Sequence, residues 1–446
     1  MSYGTQHLIL SARSGWCGEQ EPIAWASSDP FHTPLFEVDG LDEHGRHKRS
    51  LFTRAAFKAG ALPLRINAAL TWGDEPADQR NRPTAVVTAR SADSIAVGLC
   101  ATDQDRPPGE DPGVLVATPK RLALLEVAEN PDADSGWLDQ IKKYTGPVYR
   151  LANDFASTMH STVNYKGRDF DHGGQTRTPA VAEKASIPIE QIAGYDVVRR
   201  EFRWLGHEKH DREGTYLRIT FTDHSHLDLH LAGNPDADRA LQMTRDGSGS
   251  PCPGPPGFGH PLVTEHSWLA PGEHFQRIFP YRPGLFGATI AGRTVLPHQP
   301  LTPVPSCAPR DEDFGHPSDL VVAGRYRGDE WVHDHSLRGW LDATTSDQCA
   351  VAVTDNITAT NGYGWLVVTN RRIAVVIAPD YTTPGPVPKP LRERGIRHPE
   401  PNLDTLWEAP VGVLRGIRDE RHGRTLTGSP FAQLDFSDGS SLLIRQ

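Results

Sequence analysis

Two stretches decide the fold: residues 113–126 read GVLVATPKRLALLE, and residues 364–377 read GWLVVTNRRIAVVI. Aligned without gaps, they are identical at six of 14 positions. Each stretch holds two runs of β-forming residues around a turn, Pro119-Lys120 in the first and Asn370-Arg371 in the second. Proline presets φ in a turn, and asparagine tolerates positive φ. Each stretch therefore predicts a hairpin whose strands are apolar on both faces, as in a packed sandwich.

A second pair of blocks follows in the same order. Residues 216–231 read YLRITFTDHSHLDLHL, and residues 431–446 read FAQLDFSDGSSLLIRQ. Apolar and polar residues alternate in both blocks, which is typical of a strand with one buried face. Asp438-Gly439 is a strong hairpin turn in the second block. Because the blocks keep one order in both halves, the sequence predicts a duplicated β domain.

The composition excludes one large class of function. The 446 residues include 46 Lys+Arg and 56 Asp+Glu, which gives a formal net charge of −10. Proteins that hold nucleic-acid phosphates need a basic face, so no nucleic-acid partner is expected. Glycine (41) and proline (38) are both abundant, which predicts short elements and many turns, as in a mainly β protein.

Cellular context is also readable from the sequence. No apolar run reaches the roughly 18 residues of a spanning helix, and the N-terminus does not resemble a signal peptide. We therefore expect a cytoplasmic protein. The five cysteines form no C-x-x-C pair and predict reduced thiols. Only 9 of the 46 basic residues are lysine, a skew typical of a GC-rich bacterium such as an actinomycete.

The motifs of both halves resemble the bacterial pleckstrin-homology-like and GRAM-like domains. The resemblance rests on a strand followed by T-x-x-R-[LI], on the segment IPIEQIAGYDVV (187–198) and on a final hairpin with a D-G-S turn. It implies a seven-stranded β-sandwich or partly open barrel closed by a C-terminal helix, and binding or assembly without catalytic residues. The residues that carry the motif are Thr118, Arg121, Thr369, Arg372, Asp438 and Gly439.

The order of the blocks predicts four parts of the chain. They are a partly helical N-terminal extension (1–70), a first domain (71–246) with an insertion at about 130–186, a Pro/Gly-rich linker (247–320) and a second domain (321–446). Asn234-Pro235 is a helix start that would close the first domain. The second domain stops after its last strand. We expect residues 50–69, or another chain, to supply its missing lid.

One polar cluster is a candidate metal site. In a strand, side chains two apart share a face, so His224, His226, Asp228 and His230 would project together. Imidazole and carboxylate groups in this arrangement suit a divalent metal. The alternative is a solvated outer strand face in a histidine-rich chain. His333-Asp334-His335 shows the same alternation. No other cofactor is indicated.

Lipid binding is the other activity that the resemblance brings to mind. Phosphoinositide-binding members use basic residues in the loop between the first strands. Residues 101–113 hold one arginine and four carboxylates, and residues 354–364 hold no lysine or arginine. An anionic headgroup would find no partner there, so specific phosphoinositide binding is not expected. Weak membrane-surface contact through residues 137–155, which carry basic and aromatic side chains, stays open.

These observations favour a non-catalytic protein-interaction or assembly module, with a protein partner or self-association through exposed sheet edges. The first alternative is a peripheral membrane-associated adaptor. The second is a metal-dependent hydrolase that uses the histidine-rich strand. G-x-S-x-G, H-E-x-x-H and Walker motifs are absent from the sequence, although an active site dispersed along the chain stays open.

Overall fold

A computed structural model describes most of the chain and shows a mainly β protein. The described residues are 5–28, 30–48, 82–104, 113–128, 176, 178–202, 213–231, 234–246, 252–253, 266–280, 284–308, 315–382 and 402–446. They divide into two compact units. The first takes its residues from 1–128, 180–250 and 424–427, and the second from 129–179, 251–423 and 428–446.

The described residues of the first unit form two sheets and three α-helices. Its elements are α1 (Thr5–Gly15), β1 (Trp25–Ser28), β2 (Pro34–Val38), β3 (Ala85–Ala89), α2 (Ile95–Gln104), β4 (Val114–Ala117), β5 (Arg121–Val127), β6 (Val181–Pro188), β7 (Ile192–Glu201), β8 (Glu213–Phe221), β9 (His226–Leu231) and α3 (Asn234–Asp246). One sheet has the order β1-β4-β5-β6, and the other has the order β2-β3-β9-β8-β7.

The second unit also contains two sheets within the described residues. Its elements are β10 (Cys252–Pro253), β11 (Phe275–Pro280), β12 (Leu285–Ile290), β13 (Arg293–Val295), α4 (Asp319–Val322), β14 (Leu337–Ala343), α5 (Cys349–Ala359), β15 (Gly364–Thr369), β16 (Arg372–Ile377), β17 (Asp404–Pro410), β18 (Leu414–His422), β19 (Ser429–Phe436) and β20 (Ser441–Arg445). The sheet orders are β11-β15-β16-β17 and β10-β18-β19-β20-β14-β12-β13.

The two units share one order of elements. Strands β1 to β9 with α2 correspond one by one to β11, β12, β14 to β20 and α5. Within the described parts of the chain, β10, β13 and the helices α1, α3 and α4 have no counterpart in the other unit. The correspondence extends to strand direction, because β2 runs parallel to β3 and β12 runs parallel to β14. A one-turn 3-10 helix joins β6 to β7 and another joins β17 to β18. The origin of this likeness by duplication stays an inference.

Both faces of the central hairpin strands are buried, as the sequence predicts. In the first unit, Leu115 and Leu124 face the main core, while Val114 and Val116 belong to a second cluster with Leu8 of α1. The second unit repeats this division between its main core and a cluster around Phe275 and Trp365. The main core of each unit draws buried side chains from both of its sheets, which makes each a two-layer β structure.

Several segments differ from the sequence-based expectation. The sequence places 275–295 in a linker, but these residues include β11 to β13 of the second unit's sheets. Residues 25–38 of the predicted N-terminal extension include β1 and β2 of the first unit. The helix predicted to start at Asn234 is confirmed as α3, and its role in closing a domain stays a prediction. The predicted lid (50–69) and most of the insertion (130–175) lie outside the described residues.

The predicted loop at 354–364 is partly helical, because α5 runs through Ala359. Ala350, Val351, Val353 and Ile357 of this helix are buried, a spacing that matches one face of a helix. The predicted loop at 101–113 likewise begins with the last turn of α2, and residues 105–112 lie outside the described part of the chain. The sequence-based argument against phosphoinositide binding treated both segments as loops, whereas part of each segment is helical.

The D-x-S turn of the last hairpin holds the start of the helix in the second unit. Asp438 Oδ2 accepts a hydrogen bond from the Cys349 amide (2.6 Å), and Ser440 Oγ accepts one from the Ala350 amide (3.1 Å). Gly439 adopts a φ of 85° in this turn, a value that favours glycine. Burial opposes ionisation of Asp438, but hydrogen bonds from Cys349 and Ser440 outweigh it and lower its pKa to about 2.

The first unit contains the same arrangement. Asp223 Oδ2 accepts from the Ile95 amide (2.7 Å), and Ser225 Oγ accepts from the Ala96 amide (3.2 Å). His224 takes the place of the glycine, with a φ of 63°. The turn that closes the final hairpin therefore caps a helix distant in sequence in both units, in the manner of an N-cap side chain.

Asp438→Ala should lower the free energy of unfolding by about 1 kcal/mol at neutral pH, because α5 loses an acceptor for an N-terminal amide. The folded-state pKa of Asp438 lies below its usual value of 3.8, so its stabilising contribution is complete above about pH 4 and declines as the pH falls toward 2. Chemical denaturation at pH 7 and pH 3, with Ser437→Ala as an exposed control, measures this. A wild-type-to-variant difference that does not shrink at pH 3 would contradict it.

Candidate functional site

The T-x-x-R motif of the first unit is the centre of a polar cluster. Thr118 Oγ1 and Arg121 Nε both donate to Glu21 Oε1, at 2.7 and 3.2 Å. Arg121 Nη1 donates to Glu183 Oε2 (2.9 Å), and the guanidinium lies 3.9 Å from the centre of the Trp16 ring. Trp16 Nε1 donates to the same Glu183 oxygen (2.7 Å). We call this cluster the first lock.

The second lock has the same construction. Thr369 Oγ1 and Arg372 Nε both donate to Glu273 Oε1, at 2.6 and 2.9 Å. Arg372 Nη1 donates to Glu408 Oε2 (2.6 Å), and its guanidinium lies 3.9 Å from the centre of the Trp268 ring. Each lock ties the hairpin turn between two strands to the segment that precedes the first strand of the sheet.

The lock carboxylates are held ionised. Burial alone would raise the pKa of Glu21, but hydrogen bonds from Thr118 and Arg121 outweigh it and lower the pKa. The same balance, with Arg372 and Thr369 as donors, lowers the pKa of Glu273. Each carboxylate is thus already engaged by an arginine and a threonine. This geometry stabilises the fold and does not present a reactive group.

Sequence analysis found the threonine and arginine of each lock and missed their partners. The signal was present, because Trp16 and Glu21 are separated by the same interval as Trp268 and Glu273, in WCGEQE and WLAPGE. The intervening residues differ enough to hide the correspondence. Only the structure shows that the two separated pieces of each motif meet.

The histidine-rich segment is divided between a turn and a strand. His226, Asp228 and His230 lie on β9 in alternation with the core residues Leu227, Leu229 and Leu231, so they share the outer face of the sheet. His224 lies in the preceding turn. The prediction that all four candidate ligands project from one strand face is therefore wrong for His224, because the strand begins at His226.

Asp228 is the centre of an ion network. Its side chain is fully buried and pairs with the guanidinium groups of Arg200 and Arg218. Arg218 donates to both oxygens, at 2.8 and 2.9 Å. Arg200 also donates to Glu37 Oε2 (2.9 Å) and to Thr88 Oγ1 (2.9 Å). The two guanidinium groups already balance the negative charge of Asp228, which a metal ion would otherwise bind.

The neighbouring histidines have lowered pKa values. Burial, together with the charge of Arg218, lowers the pKa of His226, and burial with the charge of Arg82 lowers that of His230. Both shifts favour the neutral form of the ring. His226 Nδ1 lies 3.2 Å from Thr220 Oγ1. Among the residues that the structure describes, no three His, Cys, Asp or Glu side chains are grouped to hold a metal ion, and the metal site stays a prediction.

The second alternating triplet is not on a strand. His333 ends a one-turn 3-10 helix, and Asp334 follows it. The Asp334 carboxylate accepts hydrogen bonds from the Ser318 amide (2.7 Å), from Ser336 Oγ (2.7 Å) and from Thr176 Oγ1 (2.8 Å). It organises its own loop within the second unit.

The remaining candidate surface is a set of sheet edges. β6 and β7 follow one another in the chain, and each is an outer strand of its own sheet. Among the described strands, β17 is an outer strand in the second unit, and β18 pairs on its outer side with the two-residue β10. Outer strands present backbone donors and acceptors that can pair with another chain.

Comparison with known proteins adds no relative. A scan against protein-family models, a search of curated proteins and a search of solved structures each found no match.

No helix in the described ranges combines the length and the apolar character that crossing a membrane requires.

Glu273→Ala should lower the free energy of unfolding by about 3 kcal/mol, because it leaves the Arg372 guanidinium without its buried partner. Glu408→Ala is the matched control: it removes the half-exposed carboxylate from the same arginine and should cost under about 1 kcal/mol. Denaturant titration measures both, and Glu21→Ala tests the first lock. Equal losses for Glu273→Ala and Glu408→Ala would refute the central role of the buried carboxylate.

Asp228→Asn should destabilise the protein by about 3 kcal/mol, because two arginines lose the charge they share. Native mass spectrometry of the wild type with added Zn²⁺ provides the second readout. If Asp228 serves the ion network alone, the wild type should show no zinc adduct that depends on Asp228. A stoichiometric zinc adduct lost in both Asp228→Asn and His226→Ala would instead establish the metal site.

Proposed function

We propose that the protein is a non-catalytic protein-interaction or assembly module built from two pleckstrin-homology-like domains. Partners bind by adding a strand to the exposed sheet edges. The observation that carries this proposal is the pair of consecutive edge strands β6 and β7 in the first unit, together with the corresponding edge strand β17 in the second. A cytoplasmic location is part of the proposal.

The composition of the edges supports binding to a polar partner. On β7 the exposed side chains are Ala193, Asp196, Arg199 and Glu201. Charges of both signs on an edge discourage indiscriminate pairing, and they favour a partner strand whose charges are complementary. Pro188 and Pro410 end β6 and β17 at equivalent places. Proline lacks an amide donor and so limits how far a partner strand can extend.

The hydrogen bonding and burial of the polar clusters also support a binding role. The lock carboxylates, Asp228 and Asp334 are each engaged by several donors within their own unit. A nucleophile or general base needs a side chain that reaches a substrate, and these side chains are buried. The edge strands, in contrast, have exposed positions along their length.

The double variant Ala182→Lys/Ala193→Lys should weaken partner binding or self-association at least about tenfold. It adds two lysines at exposed positions of β6 and β7, and edge lysines oppose strand addition. Ser91→Lys adds the same side chain at an exposed turn and is the control. Native mass spectrometry of the purified full chain, alone and after partner capture, measures the complexes.

The proposal expects a discrete oligomer or a stoichiometric complex for the wild type and Ser91→Lys, and its loss in the double variant. A complex that the edge lysines leave unchanged would refute strand addition at β6–β7. Binding to vesicles of anionic lipid that fades with salt, without any protein complex, would favour the membrane-adaptor alternative instead.

A further inference from the structure

A four-residue segment of the first unit lies apart from the rest of that unit in sequence. Residues Arg424–Thr427 follow β18 in the chain but belong to the first unit, and we call them the strap. The Ala26 amide donates to the Arg424 carbonyl (2.6 Å), and the Leu426 amide donates to the Ala26 carbonyl (3.1 Å). Ala26 and Thr425 thus form a parallel bridge. The strap therefore pairs with the outer side of β1 through one isolated bridge.

One side chain anchors the strap. Leu426 is only 4% exposed and belongs to the main apolar core of the first unit. The same buried cluster contains Ala237, Ala240 and Met243 of α3. Burying a leucine side chain away from water is favourable. Leu426 therefore fixes the position of the strap between β1 and α3.

The strap lies in a groove of which β1 forms one wall and helix α3 forms the other. Arg239 Nη1 donates to the Thr425 carbonyl (2.8 Å). Trp25 Nε1 of β1 donates to Thr244 Oγ1 of α3 (2.8 Å), which joins the two walls directly. The groove thus offers four features to an extended segment: the amide and the carbonyl of Ala26 on β1, the guanidinium of Arg239 on α3, and the apolar site that the Leu426 side chain fills.

These contacts are the means by which proteins recognise extended peptides. Main-chain hydrogen bonds to a sheet edge provide affinity for any sequence, and a pocket for one side chain provides selectivity. The strap contributes two carbonyls and one amide to these hydrogen bonds, and of its two buried side chains, Arg424 and Leu426, it is Leu426 that belongs to the apolar core. Another extended segment with an aliphatic residue in the same place satisfies the same groups.

We propose that the groove between β1 and α3 is a peptide-binding site for an extended segment with a leucine-like side chain, and that the strap is its built-in occupant. This inference rests on the proposed interaction function, and it names the class of partner and a means of regulation. The tethered strap competes at a high effective concentration. A partner fills the groove only after the strap leaves it. The apparent affinity of the partner is therefore its intrinsic affinity multiplied by the fraction of molecules whose groove is open.

The test uses the full-length chain and a fluorescein-labelled peptide with the sequence of residues 421–428, RHGRTLTG. Leu426→Ala removes the anchor of the strap and opens the groove. Fluorescence polarisation should show at least about tenfold tighter peptide binding to Leu426→Ala than to the wild type. Leu301→Ala makes the same change at an exposed leucine and should match the wild type. A peptide with aspartate in place of its leucine should not bind.

Failure of Leu426→Ala to gain affinity, or equal binding of the leucine and aspartate peptides, overturns the proposal. A second measurement covers the case in which Leu426→Ala does not fold. Hydrogen exchange of the wild type with excess leucine peptide should accelerate at the Leu426 amide, because the strap is displaced. Unchanged exchange there also overturns the proposal.

The outcome separates this inference from the broader proposed function. The lysines at Ala182 and Ala193 lie on β6 and β7, whereas the groove is built from β1 and α3. Peptide binding that persists in the edge variant, while all edge-dependent complexes are absent, refutes strand addition at β6–β7 and retains the groove. Edge-dependent complexes without peptide binding refute the groove alone.

Discussion

A buried carboxylate shared by an arginine and a threonine is the constraint on which each unit depends. Ionised carboxylates are costly to bury, by several kcal/mol each, and Glu21 and Glu273 are both buried. The cost is offset because each accepts charge-assisted bonds from a guanidinium that also stacks on a tryptophan. These bonds fix the segment that precedes the first strand. In the first unit, that segment carries α1 onto the outer face of the sheet, and the hairpin strands are therefore apolar on both faces.

The sequence predicts the elements whose signals are local. The hairpins at 113–126 and 364–377 have their strands and turns within 14 residues, and both form as expected. Helices α2 and α5 were hidden for a physical reason. Gln348, at the start of α5, makes no side-chain capping bond, and the Cys349 amide is capped by Asp438, 89 residues away. A helix whose cap comes from tertiary structure lacks the start signal that a sequence pattern can supply.

The candidate site was partly predictable for a similar reason. Alternation correctly places His226, Asp228 and His230 on one face of β9. The position of His224 follows from the turn, where the aligned second block carries Gly439 in a left-handed conformation. The alternation of residues along β9 does not reveal the arginines that pair with Asp228, because Arg200 and Arg218 come from β7 and β8. Their guanidinium groups convert an apparent ligand set into the centre of an ion network.

The outer faces of the two larger sheets show what this architecture leaves free to vary. Asp228 pairs in register with Arg218 and Val86 in the first unit, and Leu443 holds the corresponding place between Gln433 and Trp340 in the second. Replacing a buried ion network by apolar side chains of similar size is often neutral or favourable for stability, so the network is not needed to form this sheet. The locks and the turn-borne caps, in contrast, occur in both units with nearly the same distances. The fold therefore depends on the locks and caps. Under the interaction function that we propose, selectivity between partners comes from the edges, the groove and the outer faces, where the units differ.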